Sequence, residues 1–216
     1  MIPVIIIPVL NRYDLLKQSI DSIDFPVGEV LILDNGGKCD EVLENPFTNV
    51  RILTLPSNLG MSASWNLGIK LYPHEKFWVF SSADILYVPG SLEKMYQSSH
   101  SGNLVLSDPA FGFFSVGEDV IRKIGLFDEG FYPIYFEDND FADRVVSAGL
   151  PIDSPGITVS TVSDGSQTIK SDRKLAQRNS ITFVKNEKLY ETKKTSGDYT
   201  LLGWNIDTRR ENEWMI

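Results

Sequence analysis

Short apolar runs rich in β-branched residues alternate in this chain with amphipathic segments, and this alternation restricts the fold more than any other feature. The run PVIIIPV at 3–9 is continuous, which is typical of a strand buried on both faces. Comparable runs predict further strands at 29–33, 50–55, 76–81 and 103–107. Amphipathic segments predict intervening helices after Asn11, which we expect to act as a cap, and at about 61–71 and 90–97.

The second half of the chain continues the pattern. Strands are predicted at 111–116 and 157–162, and helices at 117–124, 138–148 and about 172–190. The tail after Gly197 has no clear period. Because strands and helices alternate with short connections, we expect an α/β fold with a mostly parallel central sheet and helices on both faces. The 216 residues are enough for one domain with a sizeable core.

Charge and composition exclude several classes of function. The net charge of −9 disfavours broad binding to nucleic acids or anionic membranes. A single cysteine, Cys39, rules out a cysteine metal cluster and fits a reducing, cytoplasmic compartment. No apolar run reaches transmembrane length, and the N-terminus lacks the basic segment of a signal peptide. Glycine-rich phosphate loops of the GxGxxG and GxxxxGK[ST] types are also absent from the sequence.

Polar residues or glycine directly follow the predicted strands. Five stretches of the sequence, taken in chain order, resemble the motifs of family 2 glycosyltransferases. The stretches are IPVLNRYDLL (7–16), LILDNGG (31–37), NLGMSASWNLGI (58–69), WVFSSADILYVPGSLEKM (78–95) and FFSVGEDVIRKIGLFDEGFYPIYFEDNDFADRV (113–145). The resemblance implies the GT-A fold, a Rossmann-like sheet, nucleotide-sugar donors and inversion at the anomeric carbon. It divides a single domain, 1–216, into a nucleotide-sugar-binding half at 1–108, an acceptor and catalytic half at 109–170, and a C-terminal helix and tail at 171–216.

The resemblance also implies which residues bind the donor. Asp34 stands where the family's aspartate accepts a hydrogen bond from the nucleotide base, and it also suits the start of a turn. Trp65 occupies a position where many relatives have arginine, so no arginine contact to the diphosphate is expected there. The complete set of expected donor-binding residues is Pro8, Leu10, Asn11, Arg12, Asp34, Asn58, Gly60, Met61, Asn66, Ser82 and Asp84.

Two acidic residues are expected near a divalent cation. Asp84 matches the last aspartate of the family's DXD motif, which coordinates Mn²⁺ or Mg²⁺ between the two phosphates. Ser82 replaces the first aspartate, so the motif reads SAD. Asp164 stands near the position of a histidine that relatives use as a further ligand, and its carboxylate is a suitable oxygen ligand for the same ion.

The acidic stretch FYPIYFEDNDFADRV (131–145) contains the expected catalytic residues. By resemblance, Asp138 is the general base that takes a proton from the acceptor hydroxyl, and Glu137 is its neighbour in the ED pair. Asp140 needs no catalytic role, because it can pair with Arg144 one helical turn later.

Three functions remain open from the sequence. The first is an inverting glycosyltransferase that uses a nucleotide diphosphate-sugar, with UDP or dTDP as the expected nucleotide. The others are a non-catalytic nucleotide-sugar-binding protein and a nucleotidyltransferase of related fold. The acceptor is not readable: a glycan, a lipid-linked sugar, a protein and a modified nucleic-acid base are all candidates. The sequence also does not indicate the oligomeric state.

Overall fold

A computed structural model describes residues 1–40, 42–162 and 167–201. Its strands in these ranges are β1 (Ile2–Val9), β2 (Val27–Asp34), β3 (Asn49–Thr54), β4 (Phe77–Ser81), β5 (Ile85–Leu86), β6 (Leu104–Leu106), β7 (Phe113–Gly117), β8 (Ile152–Asp153) and β9 (Ser160–Thr161). The α-helices are α1 (Tyr13–Asp21), α2 (Gly60–Leu71), α3 (Ser91–Ser98), α4 (Glu118–Ile124), α5 (Glu137–Ser147), α6 (Gln167–Lys170) and α7 (Arg173–Ser196).

Seven of these strands form one sheet in the order β3-β2-β1-β4-β7-β6-β8. The pairs β3–β2, β2–β1, β1–β4 and β6–β8 are parallel, whereas β7 runs antiparallel to both of its neighbours. The predicted α/β fold with a mostly parallel central sheet is therefore confirmed. Among the described helices, none is long and apolar enough to cross a lipid bilayer.

Successive side chains of β1 enter two different hydrophobic clusters. Ile5 and Ile7 belong to one cluster, which includes residues of α1 and α3. Val4 and Ile6 belong to the other, which includes residues of α2, α4 and α5. Because neighbouring residues of a strand point to opposite faces of the sheet, helices cover both faces, and this burial explains the continuous apolar run of β1.

Local boundaries differ from the predictions in several places. The segment 157–162, expected as one strand, has only Ser160–Thr161 in a strand, which pairs with β5 outside the main sheet. Its first part instead bonds to Asp108, whose N–H donates to Ile157 O and whose carbonyl accepts from Val159 N. The β-branched residues favour an extended chain, but the available partners decide the pairing. The short strand β8 was not predicted.

Asn11 does not cap α1, contrary to the prediction. The capping position is taken by Arg12, which lies in the left-handed region with φ of 60°. The side-chain nitrogen of Asn11 instead donates to the carbonyl oxygen of Thr168 at 3.0 Å. This distant contact was invisible in the local pattern of an asparagine before a helix. The tail prediction concerns mostly residues 202–216, which lie outside the described ranges.

Candidate active site

A cavity of ≈ 270 Å³ opens at the carboxyl ends of β1 and β4. In open α/β sheets this edge is the usual place for ligands. Nine of the eleven expected donor-binding residues line it, namely Pro8, Leu10, Asn11, Arg12, Asn58, Gly60, Met61, Ser82 and Asp84. The fold therefore brings together residues that are as much as 76 positions apart in the sequence (from Pro8 to Asp84). Asp34 and Asn66 do not line the cavity.

Asp34 is fully buried and holds the turn after β2. Its Oδ1 accepts from the backbone N–H of Gly36 and Gly37 at 3.1 and 2.9 Å, and its Oδ2 accepts from Cys39 N at 3.0 Å. The hydroxyl of Tyr13 also donates to Oδ1 at 2.7 Å. Burial and this hydrogen bond to the carboxylate raise the pKa of Tyr13. These contacts support the turn-forming role, and the contact with a nucleotide base remains a prediction.

Asn66 joins α2 to the loop that follows α4. Its side-chain nitrogen donates to Phe127 O at 2.9 Å and to Glu129 Oε1 at 2.8 Å, and its oxygen accepts from Phe127 N at 3.0 Å. Both N–H groups of the Asn66 side-chain amide therefore already donate to acceptors within the protein. The neighbouring Trp65 packs among Phe80, Phe114 and Phe127 in the core. Asn66 lies outside the cavity, and its expected contact with the donor stays a prediction.

The N-terminus of α2 contacts the segment before the ED pair. Gly60 has φ of 80°, and a Cβ atom at this position would lie 2.8 Å from Pro133 O. The backbone N–H of Met61 donates to the same carbonyl at 2.9 Å. Asn58 Oδ1 accepts from Gly60 N at 2.9 Å, which closes the turn. Glycine is therefore required here for both its positive φ and the close approach of the two backbones.

Arg12 and Asp84 are charged groups on the cavity wall. Arg12 makes a two-pronged contact with Asp14, from Nε to Oδ1 at 2.9 Å and from Nη2 to Oδ2 at 2.8 Å. Partial burial raises the pKa of Asp84, and the positive charge of Arg12 opposes this rise. A partly buried carboxylate of this kind is stabilised in its charged form when a second cation binds beside it.

The oxygen atoms available to a cation are few in the part of the chain that the structure describes. Ser82 and Asp84, which both line the cavity, carry a hydroxyl and a carboxylate. Within the described residues, no group of three or more His, Cys, Asp and Glu side chains is placed to hold a metal ion. Asp164, the other expected ligand, lies outside these residues. One carboxylate with a hydroxyl fits a hard cation that takes its remaining ligands from phosphates and water.

Glu137 and Asp138 begin α5, next to the cavity segment 133–135. Burial, reinforced by the nearby Asp138, raises the pKa of Glu137 to about 8. Glu137 Oε2 is buried and has no hydrogen-bond partner among the described residues. Asp138 is half-buried, and burial raises its pKa as well. Its Oδ1 accepts from Asn139 N at 2.9 Å. Neither carboxyl group lines the ≈ 270 Å³ cavity.

The backbone before the ED pair adopts an uncommon conformation. Tyr135 and Phe136 have φ of 80° and 74°. Positive φ is unfavourable for aromatic residues, and such strain is found mostly where the surroundings enforce it. Here the enforcing contacts include Asn186 of α7, whose side-chain nitrogen donates to Ile134 O at 3.0 Å and to Tyr135 O at 3.3 Å.

A buried ionic cluster lies behind the ED pair. Arg144 Nε contacts Asp140 Oδ2 at 2.8 Å, which confirms the predicted pair. Lys193 of α7 approaches Asp140 Oδ1 to 2.8 Å and also pairs with Asp128. All four side chains are nearly or completely buried. Lys193 was missed from the sequence, because a lysine in a predominantly polar helix carries no local sign of burial.

The first turns of α7 reach the cavity, which the sequence also did not reveal. Leu175, Arg178 and Asn179 line it, together with Thr168 and Ile169 of α6. The two C-terminal helices therefore contribute one wall of the site. The only signal in the sequence was a weakly amphipathic pattern, which predicts a helix but not where it docks.

Comparisons with known proteins agree with this architecture. A family model described as "Glycosyl transferase family 2" matches residues 4–160. A search of curated proteins found no match. Among solved structures, a mannosyltransferase from Pyrobaculum calidifontis, in complex with GDP-Man and Mn²⁺, is similar at 14% identity and a TM-score of 0.62. The alignment covers 76% of this chain and 57% of that one.

Two further structures share the fold at low identity. The catalytic domain of Drosophila β1,4-galactosyltransferase 7, complexed with xylobiose, aligns at 14% identity with a TM-score of 0.53, over 74% of this chain and 70% of that one. TarS residues 1–349 from S. aureus align at 15% identity with a TM-score of 0.52, over 71% and 58% of the two chains. This chain therefore spans less than two thirds of the Pyrobaculum and TarS chains.

Proposed function

The chain belongs to glycosyl transferase family 2, and on that premise we propose that it is an inverting glycosyltransferase that uses a nucleotide diphosphate-sugar. UDP and dTDP are the proposed nucleotides. The observation that carries this proposal is the convergence of nine expected donor-binding residues on one cavity. We further propose that residues 1–216 act as one domain, with donor binding by 1–108 and acceptor binding by 109–170. The C-terminal helix and tail at 171–216 form the remaining part of this domain.

A divalent cation, Mn²⁺ or Mg²⁺, is the proposed cofactor. Ser82 and Asp84 would hold it, with Asp164 as a further candidate ligand. When bound, such an ion supplies positive charge to the diphosphate that leaves the sugar. The protein's own part is to present the Asp84 carboxylate on the cavity wall, where burial has removed some of its hydration.

Asp138 is the proposed general base. The acceptor oxygen attacks the anomeric carbon, the bond from that carbon to the diphosphate oxygen breaks, and the acceptor proton passes to Asp138. Attack from the side opposite the leaving group inverts the configuration. Glu137 is a poorer candidate, because with a pKa of about 8 it already carries a proton at neutral pH. A protonated carboxyl can donate a hydrogen bond but cannot accept the acceptor's proton.

Release of free nucleoside diphosphate tests this function. The protein is incubated with UDP-, dTDP- and GDP-sugars and Mn²⁺, with and without pools of glycan, lipid-linked, protein and modified-base acceptors. Acceptor-dependent release by the wild type, lost in Asp138→Asn, supports glycosyl transfer. Binding without release, for every donor and acceptor, would favour a non-catalytic binding protein. Release of inorganic diphosphate from nucleoside triphosphate and sugar phosphate would indicate a nucleotidyltransferase.

A further inference from the structure

Arg178 is a positively charged residue of the cavity that lies beyond the part of the chain matched by the family model. The model ends at residue 160, whereas Arg178 stands on α7. Arg178 is exposed to solvent and lines the cavity together with Asn11, Asp84 and Tyr135. No carboxylate within the described residues forms an ion pair with it, in contrast to Arg12, whose Nε and Nη2 both contact Asp14.

An aromatic side chain holds the Arg178 guanidinium in place. The guanidinium carbon lies 5.4 Å from the centre of the Tyr132 ring, and Nη2 donates to the Tyr132 hydroxyl at 3.3 Å. That hydroxyl in turn donates to Asn58 O at 3.2 Å. Contact with an uncharged ring and its hydroxyl orients a guanidinium without neutralising it, so its other N–H groups remain donors for an anion.

The position of Arg178 depends on how α7 is anchored. Lys193 is buried against Asp140, and Asn186 is fully buried against the backbone of 134–135. These two contacts fix the helix about two and about four turns after Arg178. The guanidinium is therefore presented to the cavity from a helix that is fixed to the body of the protein.

The proposed reaction calls for positive charge in the cavity beyond that of Arg12, which pairs with Asp14. Charge on the leaving diphosphate must be neutralised, and the SAD sequence leaves one carboxylate, Asp84, to recruit a metal ion. Trp65 is buried in the core and supplies no charge to the cavity. A guanidinium suits phosphate oxygens because its planar N–H groups can contact two of them at once.

We propose that Arg178 binds the diphosphate of the donor, so that the C-terminal helix supplies part of the positive charge of the active site. This inference rests on the proposed function, since it assigns a role in the same site. It makes α7 a component of the donor site rather than only a support for the fold.

Binding of inorganic diphosphate and of UDP, dTDP and GDP tests the proposal without any turnover. Isothermal titration compares the wild type with Arg178→Ala and Arg178→Lys, in Mn²⁺ and in EDTA. Arg173→Ala is the matched control, because it removes the same residue type from an exposed position of α7 that does not line the cavity. Circular dichroism and thermal unfolding confirm that each variant is folded.

We expect Arg178→Ala to weaken binding of inorganic diphosphate and of the nucleoside diphosphates by about tenfold or more, in both metal conditions. Arg178→Lys should lose less, because it keeps the charge but not the planar fork. Uridine, which has no phosphate, should show no difference between the variants. Equal losses in Arg173→Ala, unchanged binding in Arg178→Ala, or no diphosphate binding by the wild type would each overturn the proposal.

The experiments distinguish failure of the Arg178 assignment from failure of the proposed function. If the wild type binds diphosphate through Arg178 but transfers no sugar from any donor, the assignment of Arg178 stands and the catalytic proposal falls. If sugar transfer occurs and Arg178→Ala changes neither diphosphate binding nor donor KM, the catalytic proposal stands and the assignment of Arg178 falls.

Discussion

Lys193 on α7 pairs with Asp140 on α5, with 2.8 Å between Nζ and Oδ1, and both side chains are almost completely buried. Because Lys193 also pairs with Asp128, and Asp140 with Arg144, two cations and two carboxylates compensate each other inside the protein. Lys193 is thus a buried link between the C-terminal helix and the helix that begins with the ED pair.

Removing Lys193 should destabilise the protein strongly. In Lys193→Met one cation is lost from a cluster that contains two buried carboxylates, Asp128 and Asp140. Loss of one partner of a buried ion pair costs about 3–5 kcal/mol of unfolding free energy. Urea denaturation measures the change, and Lys194→Met, at the adjacent exposed position, is the control with an expected change below about 0.5 kcal/mol. Similar values for the two variants would show that the cluster contributes little.

Asp138→Asn should lower turnover by about 10²–10⁴-fold, the range for loss of a general base. Nucleoside diphosphate affinity should stay close to wild type, because the carboxyl group does not line the cavity proposed to bind the donor. Steady-state kinetics and titration calorimetry measure the two effects. Glu137→Gln serves as the comparison and should cost less, since the protonated glutamate and glutamine are both neutral. A folded Asp138→Asn variant with near-normal turnover would show that another group is the general base.

Glu137 should make stability dependent on pH. Burial is the larger cause, and Asp138 the smaller, of a pKa raised to about 8 from an ordinary value of 4.5. Between these values the folded protein keeps a proton that the unfolded chain has released, so stability falls as the pH rises through this window. Glu137→Gln removes the effect and should be more stable than wild type above pH 8. Thermal unfolding from pH 5 to 9 measures it, and parallel curves for the two proteins would contradict it.

Asp34→Ala should destabilise the fold by about 2–5 kcal/mol, because three backbone N–H groups and the Tyr13 hydroxyl lose their acceptor. Asp40→Ala, at an exposed position of the same loop, is the control and should have little effect. Urea denaturation compares the two. If Asp34→Ala weakens nucleotide binding without loss of stability, the predicted contact with the base would account for Asp34 better than the turn does.

Restoring the aspartate that the SAD sequence lacks should strengthen metal binding. Ser82→Asp places a second carboxylate near Asp84, and Mn²⁺ should then bind at least several-fold more tightly in the presence of UDP. Asp84→Asn should remove the effect of EDTA on nucleotide affinity. Calorimetric titration of Mn²⁺ into each variant measures both changes. If EDTA does not weaken UDP binding by the wild type, the metal proposal is wrong.

The sequence alone determined the fold class and indicated much of the lining of the cavity at the edge of the sheet. Continuous apolar strands such as 3–9 are interpretable because burial on both faces requires an apolar residue at every position. Polar residues directly after these strands, such as Asn11 and Asp84, converge because parallel strands end at one edge of the sheet. The pair Asp140–Arg144 was also predictable, since its spacing is that of one helical turn.

Only the tertiary structure decided the contributions that depend on distant contacts. Asp34 turned inward because the turn after β2 offers it three N–H donors, and Asn11 contacts Thr168 instead of capping its own helix. The burial of Lys193 and the presence of Arg178 at the cavity both depend on where α7 docks. Helical periodicity reports which residues share a face of a helix, but it carries no information about the surface which that face will meet.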